Sequence, residues 1–188
     1  MAEAIAKNRT VFFVDAAHFV LGSFLGWVWC VARLFVRAAS GRQRYNVLGA
    51  VNAITHELVR VTNHTYVTAV TVCDLLRKIA ALGLSTSITL VLDNAAYQRC
   101  QLVQNLAAEL GIELLFLPSY SPNLNLIERL WKFVKKKALN SRHHTNYADF
   151  HAAVDQCLNQ LTTTYRDEIE SLITLNFQTF ENAPLLPA

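Results

Sequence analysis

The stretch "SITLVLDNAAYQRCQLVQNLAAELGIELLFLPSYSPNLNLIERLWKFVKK", Ser87 to Lys136, decides the fold. Two apolar runs in it, "ITLVL" and "IELLFL", have the length of buried strands, and each stops at a breaker: Asp93 for the first, Pro118 for the second. Between them, Ala95 to Leu110 reads as a helix stopped by Gly111. Strand, helix and strand in that order imply a right-handed crossover and a parallel pair. "PSYSP" then redirects the chain into a helix with one acid near its start, Glu128, followed by Arg129, Lys132, Lys135, Lys136 and Lys137. A lone acid heading a basic helix is either a cap or part of a site for something polyanionic.

Upstream, "RTVFFVDAAHF" begins as a β-branched and aromatic run and reads as a first buried strand ending in Asp15. Residues Phe19 to Val36 are also sheet-like. Ser40–Arg44 is a polar turn, and "YNVLGAVNAI" and "HELVRVT" are strand candidates that pair as a hairpin. From Tyr66 the period becomes helical, with Val67, Val70, Leu75, Ile79 and Leu82 on one face and Gly83 as the stop. Downstream, Tyr147 to about Leu175 reads as one or two amphipathic helices. The expected architecture is α/β, a mixed sheet flanked by helices, with residues 1–145 as the main domain and 146–188 as a helical extension packed on it.

At 188 residues, 53% hydrophobic and 16% charged, the chain buries a real core, which argues against disorder. A net charge of +3 is too mild to name a partner, but six of the cations fall between Glu128 and Arg142. Cys30, Cys73, Cys100 and Cys157 lack any paired or zinc-like spacing, as buried thiols in a reducing compartment would. No secretory signal precedes Asp15. The one candidate membrane span, Phe19 to Val36, contains Gly22, Ser23, Gly26 and Arg33 and fits buried sheet better. A cytoplasmic protein without a membrane partner is expected.

Three acids stand out by position: Asp15 and Asp93 at strand ends, and Glu128 on the helix after the next strand. Acids that end apolar strands lie at the carboxyl edge of the sheet, where open α/β sheets place ligands. Gathering them costs desolvation and repulsion unless cations neutralise them, and oxygen-only ligands favour Mg²⁺ or Mn²⁺. Two such ions about 4 Å apart suit phosphodiester displacement. Each acid also has a plainer reading. Asp15 and Asp93 are plausible turn residues, and Glu128 has Asn125 at the spacing of a capping box. For Glu128 alone the cap is the better reading; the combination of three acids at one edge favours a site.

The blocks "VFFVDAAHF", "GRQRYNVLGA", "LVLDNAAYQR" and "LPSYSPNLNLIERLWKFVK" resemble the catalytic domain of mariner-like DDE transposases of bacterial insertion sequences. The 34 residues between Asp93 and Glu128 have the length typical of that superfamily. The resemblance runs from about Thr10 to Phe180. It implies a ribonuclease H-like fold, a two-ion Mg²⁺ or Mn²⁺ site on Asp15, Asp93 and Glu128, and cleavage and strand transfer of DNA at transposon ends and target. Relatives usually carry proline where this chain has Leu126, so a looser helix start is expected. Full-length relatives also carry N-terminal helix-turn-helix domains. The resemblance therefore implies that a separate upstream product supplies them or that they have been lost, and it leaves room for a homodimer.

On the basic helix, Leu124, Ile127, Trp131, Val134 and Ala138 form the apolar face. Lys132 and Lys135 fall on Glu128's side, placed to hold DNA phosphates, while Lys136 and Lys137 point elsewhere. A solvated face with a Glu128–Lys132 pair is the alternative. Arg42 and Arg44 either touch DNA or solvate the hairpin. Asn94 either orients the site or makes a turn. His18 supports the site only if the strand bends. Trp27, Trp29 and Trp131 are core by composition, and His143 and His144 lack partner ligands. Besides a transposase, a non-catalytic DNA-binding or partner-binding remnant and a standalone nuclease are open.

Overall fold

Strand β1 (Arg9–Val20) is buried on both faces, because successive side chains of a strand point to opposite sides. Val11, Phe13, Ala17 and Phe19 enter one core, while Phe12 and Val14 enter another. A computed structural model describes residues 1–22, 43–118, 121–140 and 142–177. A short helix, α1 (Ala2–Ile5), precedes β1, which lies at the centre of a five-stranded sheet. The others are β2 (Arg44–Asn52), β3 (Leu58–Asn63), β4 (Ser87–Leu92) and β5 (Ile112–Phe116), in the order β3-β2-β1-β4-β5. β1, β2 and β3 are antiparallel neighbours, whereas β4 and β5 run parallel to β1. The expected hairpin and the expected parallel crossovers are both present.

Helices α2 (Ala69–Ala80) and α3 (Gln101–Glu109) cover the core of Phe12 and Val14. Helix α2 starts at Ala69 rather than Tyr66, because Thr68 and Thr71 cap each other there. Its buried stripe is Val72, Leu75, Leu76 and Ile79, so Val70 and Leu82, expected on that face, are exposed. Helix α3 begins six residues later than its sequence suggests. Asn94 has a left-handed φ of 75°, and the Ala95 amide donates to Gln98 Oε1, closing a turn before the helix starts.

On the opposite face lie α4 (Ile127–Val134), α5 (Tyr147–Asn159) and α6 (Arg166–Leu172). Phe150, Val154, Leu158 and Ile169 share one core with Ile127, Leu130 and Trp131 of α4. Immediately after α4, Lys135–Leu139 forms a π-helical turn, and the Asn140 amide donates to the carbonyl of Lys135 at 3.0 Å. Arg129 ties the chain end to α4 by donating to the carbonyls of Thr174 (2.8 Å) and Asn176 (2.7 Å).

β4 pairs only with Arg9 to Phe13 of β1, so β1 outruns its parallel neighbour from Val14 onward. Asp15 lies just past that step on β1, and Asp93 just past the end of β4. Among the described residues no helix is long and apolar enough to cross a membrane. Most of the Phe19–Val36 segment, with Trp27, Trp29, Cys30 and Arg42, lies outside the described residues.

Candidate active site

Asp15 follows Val14 in β1 and is register-paired with Gly49 of β2. As an odd-numbered residue of the strand it shares the face of Phe13 and Ala17, which is the face α4 covers. Its Oδ2 accepts a hydrogen bond of 3.0 Å from Trp131 Nε1. Burial is the largest influence on its carboxyl group, with repulsion from Glu128 and Asp93 added, and the pKa is pushed up to about 7. A backbone amide at Ala16 and the Trp131 indole pull the other way. The three acids are thus electrostatic neighbours. Asp93 is exposed just past β4, and Glu128 is half-buried in the first turn of α4.

The helix start answers whether Glu128 is a cap. No side chain caps α4, and Asn125 does not act as the Ncap partner of Glu128. Instead Asn125 Nδ2 donates 3.1 Å to the Val14 carbonyl, on the strand that carries Asp15. Asn125 therefore fastens the start of α4 to the point where β1 leaves β4. Leu126 has φ −61°, the value proline would impose, and its side chain is fully buried. The core thus holds leucine at the backbone angle a proline ring would set.

Three residues at the site carried no such role in the sequence. Trp131, expected as core, is also Asp15's hydrogen-bond donor. Asn125, expected as a cap, is the strand-to-helix fastener. Tyr97 feels both Asp93 and Asp15, and burial followed by those charges moves its phenol up to about 12. The turn after Asp93 delivers Tyr97, and no periodicity marks such a turn.

The remaining expectations divide. His18 lies on the other face of β1 from Asp15, bonded through Nδ1 to Asn46 Oδ1 at 2.7 Å, because three residues along a strand reverse the face. The structure does not bring it to the acids. Asn94 supplies the left-handed turn after Asp93. Arg44 is exposed, five residues along β2 from Gly49 and so about 17 Å from Asp15's row. Lys132 and Lys135 are exposed, and among the described residues neither they nor Glu128 form an ion pair. Lys136 does not point away from Lys132: both line an open groove of about 360 Å³ between α4 and α6. Lys137 is turned aside, paired with Glu168 at 2.7 Å and held over the rings of Phe133 and Tyr165. His143 is exposed and His144 contacts the Ala138 carbonyl, consistent with loop roles.

Donor chemistry at the acids suits a hard divalent cation: three carboxylates, one of them largely desolvated, with no described cation paired to any. Among the described residues, however, no group of three or more His, Cys, Asp or Glu side chains is drawn close enough to hold a metal ion.

The architecture is α/β, a mixed five-stranded sheet with helices on both faces and with Asp15 and Asp93 beside the step between β1 and β4. The structure resembles the Mos1 strand transfer complex, with 14% identity, 91% of this chain, 56% of that chain and a TM-score of 0.56. It also resembles a simian T-cell lymphotropic virus intasome, with 16% identity, 96% and 56% coverage and a TM-score of 0.56. For the HTLV-2 integrase catalytic core domain with magnesium the values are 13% identity, 83% and 87% coverage, and a TM-score of 0.53. These likenesses establish the ribonuclease H-like fold. The chain spans about half the length of the Mos1 chain it matches, 56%. Comparison with curated proteins finds no match. The family model for DDE superfamily endonucleases matches residues 10–151, and the chain belongs to that family.

Proposed function

We propose that this chain is the catalytic domain of a DDE transposase, which cuts DNA at the ends of an insertion sequence and joins the freed 3′-hydroxyl to target DNA. The observation that carries this reading is Asp15, half-buried under α4 and within electrostatic reach of both Asp93 and Glu128. The charges of two acids on other elements make Asp15 harder to ionise, a repulsion that bound cations would relieve. On this reading Asp15, Asp93 and Glu128 hold two Mg²⁺ or Mn²⁺ ions. Bound there, such ions polarise the scissile phosphate and lower the pKa of an attacking water or hydroxyl.

The protein's own part is positional. Asn125 and Trp131 fix α4 against β1, so that Glu128 and Asp15 keep a constant separation. Lys132 and Lys135, exposed and unpaired among the described residues, supply contacts to the DNA backbone, with Arg44 further along the sheet. Arg42 belongs to the same proposed set and lies outside the described residues. Recognition of the ends falls to helix-turn-helix domains, and two copies act on two ends.

A second reading, a DNA-binding remnant without chemistry, draws support from the absence of such a group among the described residues. One assay separates the two. Linear DNA bearing the element ends is incubated with Mg²⁺ and the chain, with and without the upstream product. Metal-dependent nicking that Asp93→Asn removes supports the transposase reading, and binding without nicking in both arms supports the remnant.

A further inference from the structure

The indole of Trp131 meets two residues of one register pair. Its Nε1 donates 3.0 Å to Asp15 Oδ2, and its benzo edge lies over Gly49, Asp15's partner on β2. A Cβ built on Gly49 would stand 2.8 Å from Cη2 and 2.9 Å from Cζ2 of that ring, and 3.0 Å from Leu58 Cδ1. Such approaches are shorter than real Cβ contacts, and the ring cannot retreat easily, because Trp131 is 3% exposed and Phe19 meets it edge-on at 6.3 Å. Gly49 has no positive φ to explain it. Its lack of a side chain is what lets the indole reach across β2 to the acid on β1.

The geometry points to Trp131 as a positioning residue for the metal site, with Gly49 as the clearance that seats it. Trp131 fixes the rotamer of the Asp15 carboxylate, so that the acid is pre-set as a metal ligand rather than ordered by the ion. This inference rests on the proposed metal-binding role of Asp15. A hydrogen-bonded outer partner of a ligating carboxylate is worth about 10- to 100-fold in metal affinity. Trp131 touches neither ion nor substrate, so its contribution belongs to metal binding and not to the chemical step. Packing alone accounts for a tryptophan at this place but not for a polar edge turned onto a half-buried acid.

The test is Mn²⁺ binding to the whole chain, followed by the electron paramagnetic resonance signal of free Mn²⁺, with thermal melts run in parallel. Trp131→Phe keeps an aromatic ring and removes the donor. A benzothienyl analogue of tryptophan at position 131, with sulfur in place of N–H, keeps the shape as well and decides the matter if Trp131→Phe fails to fold. Gly49→Ala keeps the donor and displaces it. All three should weaken Mn²⁺ binding about tenfold or more, and cleavage by the analogue-bearing chain should need more Mn²⁺ yet reach the same maximal rate. If the analogue binds Mn²⁺ as tightly as the native chain while Asp15→Asn does not, the positioning role is overturned and the metal site stands. If Asp15→Asn leaves Mn²⁺ binding unchanged, the metal role of Asp15 falls, and the inference with it.

Discussion

The two faces of the sheet are built from the same strand and both carry an apolar core, but only one also carries an acid. Under α2 and α3, β1 contributes Phe12 and Val14 to a core with Leu48, Leu75, Leu76 and Leu90. Under α4, the next residue along, Asp15, is a half-buried acid that feels the charge of Glu128 and is held by an indole. Both faces exclude water, and the α4 face also holds a charge at a cost. Chemistry is thus confined to one face, and the other serves stability alone.

The comparison breaks first at Asp93. Asp93→Asn deletes a charge at nearly constant volume, and cleavage should fall below detection while the circular dichroism spectrum stays native. Normal cutting by the variant would make Asp93 only a turn residue. The other face should behave in reverse. Leu75→Ala, at a fully buried position, should cost about 2–5 kcal/mol in urea unfolding. Its cleavage rate well below the melting temperature should remain close to normal. A large loss of rate there would show that the faces are coupled.

Asp15 sharpens the contrast through pH. Its carboxyl pKa in the folded state, about 7, lies above the ordinary 3.8. The folded state therefore holds the proton more tightly, and the stability this gives is complete below about pH 4 and lost as pH rises to 7. Without divalent metal, that loss should amount to about 1–3 kcal/mol after allowance for partial solvation. Asp15→Asn should flatten this part of the profile and raise metal-free stability at pH 7, while added Mn²⁺ should stabilise the native chain most above pH 7. Melting curves from pH 4 to 8 check the sign. The smallest effect belongs to the exposed lysines. Lys132→Ala with Lys135→Ala should lower the slope of log affinity against log salt by roughly one to two units and barely change stability. Adding Lys136→Ala should lower the slope further, given the groove that Lys136 shares with Lys132. An unchanged slope would return these side chains to a solvated surface.

Much of this was legible in the sequence, for identifiable reasons. Apolar runs bounded by Asp93, Gly111 and Pro118 mark strands and a helix, because burial and backbone geometry act locally. The order of those elements fixes the parallel crossover by handedness. The start of α3 was misplaced because Asn94 takes a left-handed φ that a helical apolar pattern does not reveal. Val70 was assigned to a buried face because apolar spacing leaves the centre of a stripe uncertain by about one residue. The roles of Trp131 and Asn125 were hidden for a stronger reason. Each depends on a partner more than a hundred residues away, Asp15 for one and Val14 for the other, and no local pattern carries that information.

The π-helical turn after α4 has a consequence for how this chain tolerates changes in length. A π turn holds one residue more than the α-helical turn it replaces, so Lys135–Leu139 behaves as a one-residue insertion accommodated without breaking the helix. Removing a residue from it would turn the buried Ala138 and Leu139 by about 100° relative to α4. Asn140 then ends the helix in an extended conformation, so the change of phase stops before α5. Substitutions among the three lysines should be mild, whereas a single deletion there should turn two apolar side chains out of the core. The segment that varies most freely in composition is therefore among the least free in length.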